Sequence, residues 1–300
     1  VIKAENTESE KIPGAVTTYC IEAMMQDRKA LQSGTSHFLG QNFAKASEIK
    51  FQNRKGEIEY AWTTSWGVST RLIGAIIMAH SDDNGLVLPP KIAPSHIAII
   101  PIYRDAQEQK QVMAFAEKVQ NQLKDLYLDD VPLYTELDTR DMTSSERNWY
   151  WIKKGIPLRL EIGPRDIIQD SVMLARRDKE PQDKQSVKIS DLTNYVLQTL
   201  AEMQQGYYQR ALAFKDKWTM EIDDKEEFYR FFTPKNIEQP EIHGGFASSH
   251  WCGKSSCEEK IKEDLKVTIR CIPFNTKEET GNCICCGKPS TRRVIFAKAY

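Results

Sequence analysis

The run EIEYAWTTS is apolar and aromatic-bearing, as a strand would be, and it ends in a turn at Gly67. Ser69, Thr70 and Arg71 follow and open the apolar helix LIGAIIMAH. A strand that feeds directly into a helix needs a sheet to join and a layer to cover, which restricts this part of the chain to mixed α and β architecture. It also fixes Arg71 at a helix entrance, where a permanently charged guanidinium can face a bound anion. Strand, Gly, Arg and helix occur together in many α/β folds. The continuous string SWGVSTRLIGAIIMAHSDDNGLVLPP, through Pro89-Pro90, is far more specific.

Three hundred residues suit two or three domains. With 40% hydrophobic and 28% charged residues, the composition is that of an ordinary soluble globular protein. No run approaches the ~18 apolar residues that cross a membrane. Val1 opens the polar stretch KAENTESEK, so no signal peptide is expected, and the missing initiator Met reads as a processed, excised or incompletely represented chain. A net charge of −1 neither requires nor excludes nucleic acid, because binding RNA needs only a local basic surface. Six of the seven Cys lie after residue 250 and cluster as pairs, a metal pattern more than a disulfide framework, and a cytoplasmic location is expected.

Residues from about 12 to 92 alternate short apolar stretches with Gly-rich turns. Beyond Pro94, SHIAIIPI reads as a buried strand, and Val112, Ala116, Val119, Leu123 and Leu126 are spaced for one face of a helix. PLYTEL, IPLRLEIG and SVMLARR supply further strands, with a helix-like segment near Trp149–Lys154, so an open α/β domain is expected. Ser190 is a plausible N-cap for a long amphipathic helix carrying Leu192, Val196, Leu200, Met203 and Tyr207. These breaks predict domains at 1–93, 94–187 and 188–300.

Two further segments carry polar chemistry. Gln32-Ser33-Gly34-Thr35-Ser36-His37-Phe38-Leu39-Gly40-Gln41 reads as a Gly-punctuated loop or turn that gathers an amide, hydroxyls and an imidazole. Cys252-x4-Cys257 and Cys283-x2-Cys286 stand about 25 residues apart, spacings that suit a closed tetrahedral S4 zinc site, with Gly253 and Gly287 permitting the tight turns. Cys285 beside Cys286 leaves a second register open. We prefer Cys286, since Cys-x2-Cys-Gly-Lys is the common knuckle spacing. His250, two residues before Cys252, reads as local packing, and Cys20 and Cys271 as small buried hydrophobes.

The SWGVSTR string resembles motif 3 of class II aminoacyl-tRNA synthetases, and its details resemble prolyl-tRNA synthetases of the type shared by archaea, eukaryotes and some bacteria. The resemblance covers all 300 residues but only the C-terminal part of such an enzyme, since motifs 1 and 2 are not found in the sequence. It implies the end of an antiparallel class II catalytic domain, a class IIa α/β anticodon-binding domain and a zinc-bearing α+β C-terminal domain. It also implies a proline–tRNA ligase using ATP with Mg²⁺, L-proline and tRNA(Pro), homodimeric at full length. Gln32, Thr35 and His37 would then face the amino acid and adenylate. Trp66, Gly67 and Ser69 would help wall the pocket, Ser69 standing where Thr is common, and Arg71 would be the catalytic contact to the ATP phosphates. Arg140, Arg147, Glu161 and Arg165 are the implied anticodon contacts, although Ser144-Ser145 and Arg147 replace a customary Pro-Gly and Lys. The terminal Tyr300 would pack back toward the catalytic domain. Without motif 2 the isolated chain is expected to be inactive. The competing reading is a non-catalytic tRNA-binding or interaction module derived from such an enzyme, and coding sequence upstream of Val1 would separate the two.

Overall fold

The computed structural model describes residues 1–236, 238, 241–276 and 278–300, in two compact units: Val1–Ala79 with Ala213–Tyr300, and His80–Leu212. The first unit begins with three strands paired antiparallel in chain order, β1 (Ile2–Glu5), β2 (Thr17–Met24) and β3 (Ala30–Gly40). A short helix α1 (Asn42–Ala46) and the hairpin β4 (Lys50–Gln52) with β5 (Ile58–Tyr60) follow. β6 (Thr63–Gly67) then returns antiparallel to β3 and leads into α2 (Arg71–His80).

Two sequence expectations change here. EIEYAWTTS is two strands, β5 and β6, broken at Ala61-Trp62. QSGTSHFLGQ is no loop: it forms most of β3, paired with β2 on one side and β6 on the other. Its glycine serves close packing, because a Cβ on Gly34 would lie 3.3 Å from Val68 Cγ1 and 3.4 Å from Ile21 Cδ1. Ladders on both edges satisfy the backbone more completely than the turn its composition suggests.

The second unit holds a five-stranded sheet. Its elements in chain order are β7 (Ile97–Pro101), α3 (Ala106–Gln122), the hairpin β8 (Tyr127–Leu128) and β9 (Val131–Pro132), β10 (Thr135–Leu137) and α4 (Ser144–Lys154). β11 (Leu158–Ile162), α5 (Pro164–Ile168), β12 (Ser171–Arg176) and β13 (Lys184–Lys188) follow. The order is β10-β7-β11-β12-β13, parallel across the first three strands and antiparallel beyond. α3 is capped by Asp105, which accepts from the Gln107 and Glu108 amides, and buries Val112, Ala116 and Val119. α4 opens with a Thr143/Glu146 capping box and stops at Gly155, where φ is +73°.

From α6 (Leu192–Lys217) the chain re-enters the first unit. There follow β14 (Thr219–Glu221), α7 (Lys225–Phe232), β15 (Phe246–His250), α8 (Ser255–Leu265), β16 (Thr268–Pro273), β17 (Gly281–Asn282), β18 (Pro289–Ser290) and β19 (Arg293–Ala297). One eight-stranded sheet joins both ends of the chain in the order β14-β15-β19-β16-β1-β2-β3-β6. The segment after β19 runs back to the start of β3, where Ala299 bridges Ala30 in parallel, so the sheet curls on itself. Small side chains permit the curl: Ala4, Cys20, Ala30, Cys271 and Ala297 fill its interior with Phe246 and Ile295.

The predicted breaks at 93 and 187 do not coincide with these units. Residues 82–87 belong to the second one because Arg177 grips Asp82 through two nitrogens at 2.8 and 2.6 Å and reaches the Leu86 carbonyl at 2.9 Å. Val87 also enters that unit's core. The first half of α6 stays there too, since Leu192, Val196, Leu200, Met203 and Tyr207 complete the same core. Among the described residues no helix is long and apolar enough to cross a membrane.

Candidate active site, anticodon surface and metal centre

Strand alternation distributes the residues around β3. Across β2, β3 and β6 the register sets Thr18, His37 and Ser65 in one row, Tyr19, Ser36 and Trp66 in the next, and Cys20, Thr35 and Gly67 in the third. Successive rows face opposite sides of a sheet. Thr35 and His37 therefore share a face with Gly67, while Trp66 faces the other side.

A cavity of about 250 Å³ gathers Gln32, Thr35, Gly67, Ser69 and Arg71. Arg71 is exposed at the first position of α2, and its amide donates to Ser69 Oγ at 3.3 Å, which ties the turn to the helix entrance. His37 does not line this cavity: it is buried on the same face of β3, with Nδ1 2.8 Å from Thr18 Oγ1. Trp66 does not join this group. It is 79% exposed and lines an adjoining apolar hollow of about 350 Å³ with Tyr19 and Phe274, which shares Gly34, Thr35, Gly67 and Val68 with the cavity.

In the second unit, the loops after β7, β10 and β11 leave from the carboxyl ends of parallel strands, where open α/β sheets present their ligand-binding crevice. Arg140 follows β10, and Arg165 sits at the start of α5 after β11. Arg140 is held in place by the buried Asp138, Nε at 2.9 Å and Nη2 at 2.5 Å, with Trp151 Nε1 on the same carboxylate at 2.8 Å. Its guanidinium lies 3.6 Å over the Tyr150 ring, leaving a flat, partly exposed cation on an aromatic base. Burial works to raise Asp138, but the hydrogen bonds from Arg140 and Trp151 outweigh it and hold the carboxyl below its usual range.

Arg147 and Glu161 do not join this surface. Arg147 is only 4% exposed, and its fork donates to the Asp138 and Pro101 carbonyls at 3.0 and 2.8 Å. The segment expected as a helix-entry loop is already helix α4, which turns Arg147 inward. Glu161 is 7% exposed and paired with Lys184 at 2.7 Å. Arg147→Met should therefore destabilise the unit by roughly 2–3 kcal/mol, because two buried carbonyls lose their donor, and denaturant unfolding measures the effect.

In the C-terminal segment, Cys252, Cys257, Cys283 and Cys286 bring their sulfurs within 4.8 Å of one another. Cys252 Sγ is 3.7 Å from both Cys257 Sγ and Cys286 Sγ. Tetrahedral metal–sulfur bonds of about 2.3 Å would separate the sulfurs by about 3.8 Å, so the thiols fit one ion. Gly253 and Gly287 take φ of +80° and +69° in the two turns. The Lys288 amide helps draw the Cys286 thiol down to about 7. Cys285 lies outside the group. His250 is buried behind it, close against Gly281 and 3.4 Å from Ser290 Oγ.

A family model described as "Prolyl-tRNA synthetase, C-terminal" matches residues 238–300, and one described as "Anticodon binding domain" matches residues 96–199. Proline–tRNA ligase 2 of Anaeromyxobacter dehalogenans is 50% identical over all of this chain, and the proline–tRNA ligase of Protochlamydia amoebophila is 48% identical. That of Bdellovibrio bacteriovorus is 47% identical. Over its whole length the chain is similar to the C-terminal part of prolyl-tRNA synthetases. It spans 59% of the length of each of these three relatives, as their C-terminal part.

Sequence reasoning missed one feature of this segment, a buried ion pair. Glu22 is fully buried on the face that carries Cys20, and Arg270 of β16 reaches it at 3.2 Å across the curl. Burial pushes the Glu22 carboxyl up, and Arg270 opposes that shift. An acid two residues after Cys20, on the inward row of TTYCIEAM, was the available signal; Arg270 gave none, because a register shift in β16 sets it beside the inward Cys271. At the chain's other end Tyr300 Oη donates to Asp27 Oδ2 at 2.5 Å, docking the tail beside β3.

Proposed function

We propose that the chain is the C-terminal part of an enzyme that joins L-proline to tRNA(Pro) at the expense of ATP, releasing AMP and diphosphate. The observation that carries this reading is the single cavity that gathers Gln32, Thr35, Gly67, Ser69 and Arg71. In the first step a proline carboxylate oxygen attacks the α-phosphate, a P–O bond forms, and the bond to diphosphate breaks. No proton moves, so positioning and charge stabilisation suffice. Arg71 supplies positive charge from a helix entrance. Thr35 and Gln32 offer polar contacts to the amino acid, and Gly67, backed by Thr35, leaves room for a small ring. His37, fixed by Thr18, sits on the same face of β3 as Thr35. Mg²⁺ would enter with ATP and neutralise phosphate charge.

Arg140 and Arg165, with Tyr150 as a stacking surface, are proposed to read the anticodon loop, where unstacked bases offer both faces and edges. The four-Cys centre is proposed to hold Zn²⁺ as a structural ion, since S4 ligation leaves no open position for chemistry.

The full-length protein should catalyse proline-dependent ATP–diphosphate exchange, and no exchange with proline would reject the reading. Arg140→Ala should weaken tRNA(Pro) binding by about 1–3 kcal/mol, with affinity that falls as salt rises. Equal binding by the variant would remove Arg140 from the interface.

A further inference from the structure

Glu22 stands opposite Gln32 across the β2–β3 ladder, the two side chains on one face. Its carboxylate accepts from the Gln32 side-chain amide and is held on its other side by Arg270, with Nη2 3.2 Å from Oε1. A carboxylate paired with a guanidinium only accepts, so it takes the NH₂ end of Gln32. The carbonyl end then points away from the carboxylate, and Gln32 lines the cavity shared with Thr35 and Arg71.

We propose that Glu22 and Arg270 are positioning residues for amino-acid recognition: by fixing the amide of Gln32 they aim its carbonyl oxygen into the cavity, as an acceptor for the substrate ammonium group. The inference rests on reading that cavity as the proline site. An unheld Gln side chain presents either end, and its NH₂ would repel an ammonium. Arg270 belongs to β16, so a strand beside the metal-bearing segment takes part in substrate selection without touching substrate. Burying a lone carboxylate here would be costly, which explains why the acid comes with its own base.

The test uses proline-dependent ATP–diphosphate exchange by the full-length protein. Glu22→Gln replaces an obligate acceptor by a group that can donate or accept, and should raise KM for proline about tenfold, the equivalent of one hydrogen bond. KM for ATP and kcat should change less than about twofold, since uniform substrate binding is what is lost. The double variant Glu22→Gln/Arg270→Met removes both buried charges, so it should fold even if the single variant does not, and should melt near the parent. A raised KM for proline in that stable double variant supports positioning; a parental KM shows that the pair is only structural and overturns the proposal. Gln32→Ala separates the two levels. If it leaves KM for proline unchanged, the reading of Gln32 as a substrate contact fails. If it raises KM while the stable double variant does not, that reading stands and the positioning role is overturned.

Discussion

Cys257→Ser is expected to release the bound metal and unfold the C-terminal segment. Elemental analysis of the purified parent should find about one zinc per chain, and the variant about none. The effect is large because a structural Zn²⁺ contributes roughly 10–16 kcal/mol of apparent binding energy at neutral pH, comparable with or above the ~5–15 kcal/mol stability of a whole domain. Cys257 is buried at the start of α8 and packs in the core with Trp251, Ile261 and Phe296, so losing the metal also loosens that core. Cys252→Ser, Cys283→Ser and Cys286→Ser should behave alike, and Cys285→Ser should keep its zinc. Retention of zinc by Cys286→Ser together with loss by Cys285→Ser would move the fourth ligand.

Arg71→Ala in the full-length protein is expected to cost about 2–4 kcal/mol of transition-state stabilisation, roughly 30- to 900-fold in kcat/KM for exchange. The loss should fall mainly on activation, because Arg71 lines the cavity from the entrance of α2 and lies outside the residues matched as an anticodon-binding domain. tRNA binding should stay near the parental value. Thr35→Val should behave differently, raising KM for proline with little change in kcat, as a uniform binding loss does. An unchanged exchange rate in Arg71→Ala would remove it from the reaction.

Local pattern carried much of this protein. The helix over Ala106–Gln122 follows from an apolar face at Val112, Ala116 and Val119 with Asp105 as its cap, and the strand Ile97–Pro101 from a short β-branched run between turn signals. The four-thiol cluster was legible because thiol pairs at such spacings can converge whatever fold surrounds them, so spacing alone constrains them. The resemblance to class II synthetases implied one pocket for Gln32, Thr35, Ser69 and Arg71, and they line one cavity.

Other features depended on partners distant in sequence. β3 looks like a loop until β2 and β6 supply its hydrogen bonds. Trp66 sits one row away from Thr35, and a one-residue step reverses the face of a side chain, which composition cannot report. Arg147 carries the same charge as Arg140, yet α4 turns one inward onto carbonyls while Asp138 holds the other at the surface over Tyr150. The unit boundaries follow Arg177 and Asp82, and the link from Arg270 to Glu22 follows the curl of a sheet whose strands come from opposite ends of the chain. Residue type and spacing determined the local elements and the paired thiols, since these are local properties. Which side chains meet was decided only by the tertiary structure, because contact depends on register, face and sheet closure, each a product of long-range pairing.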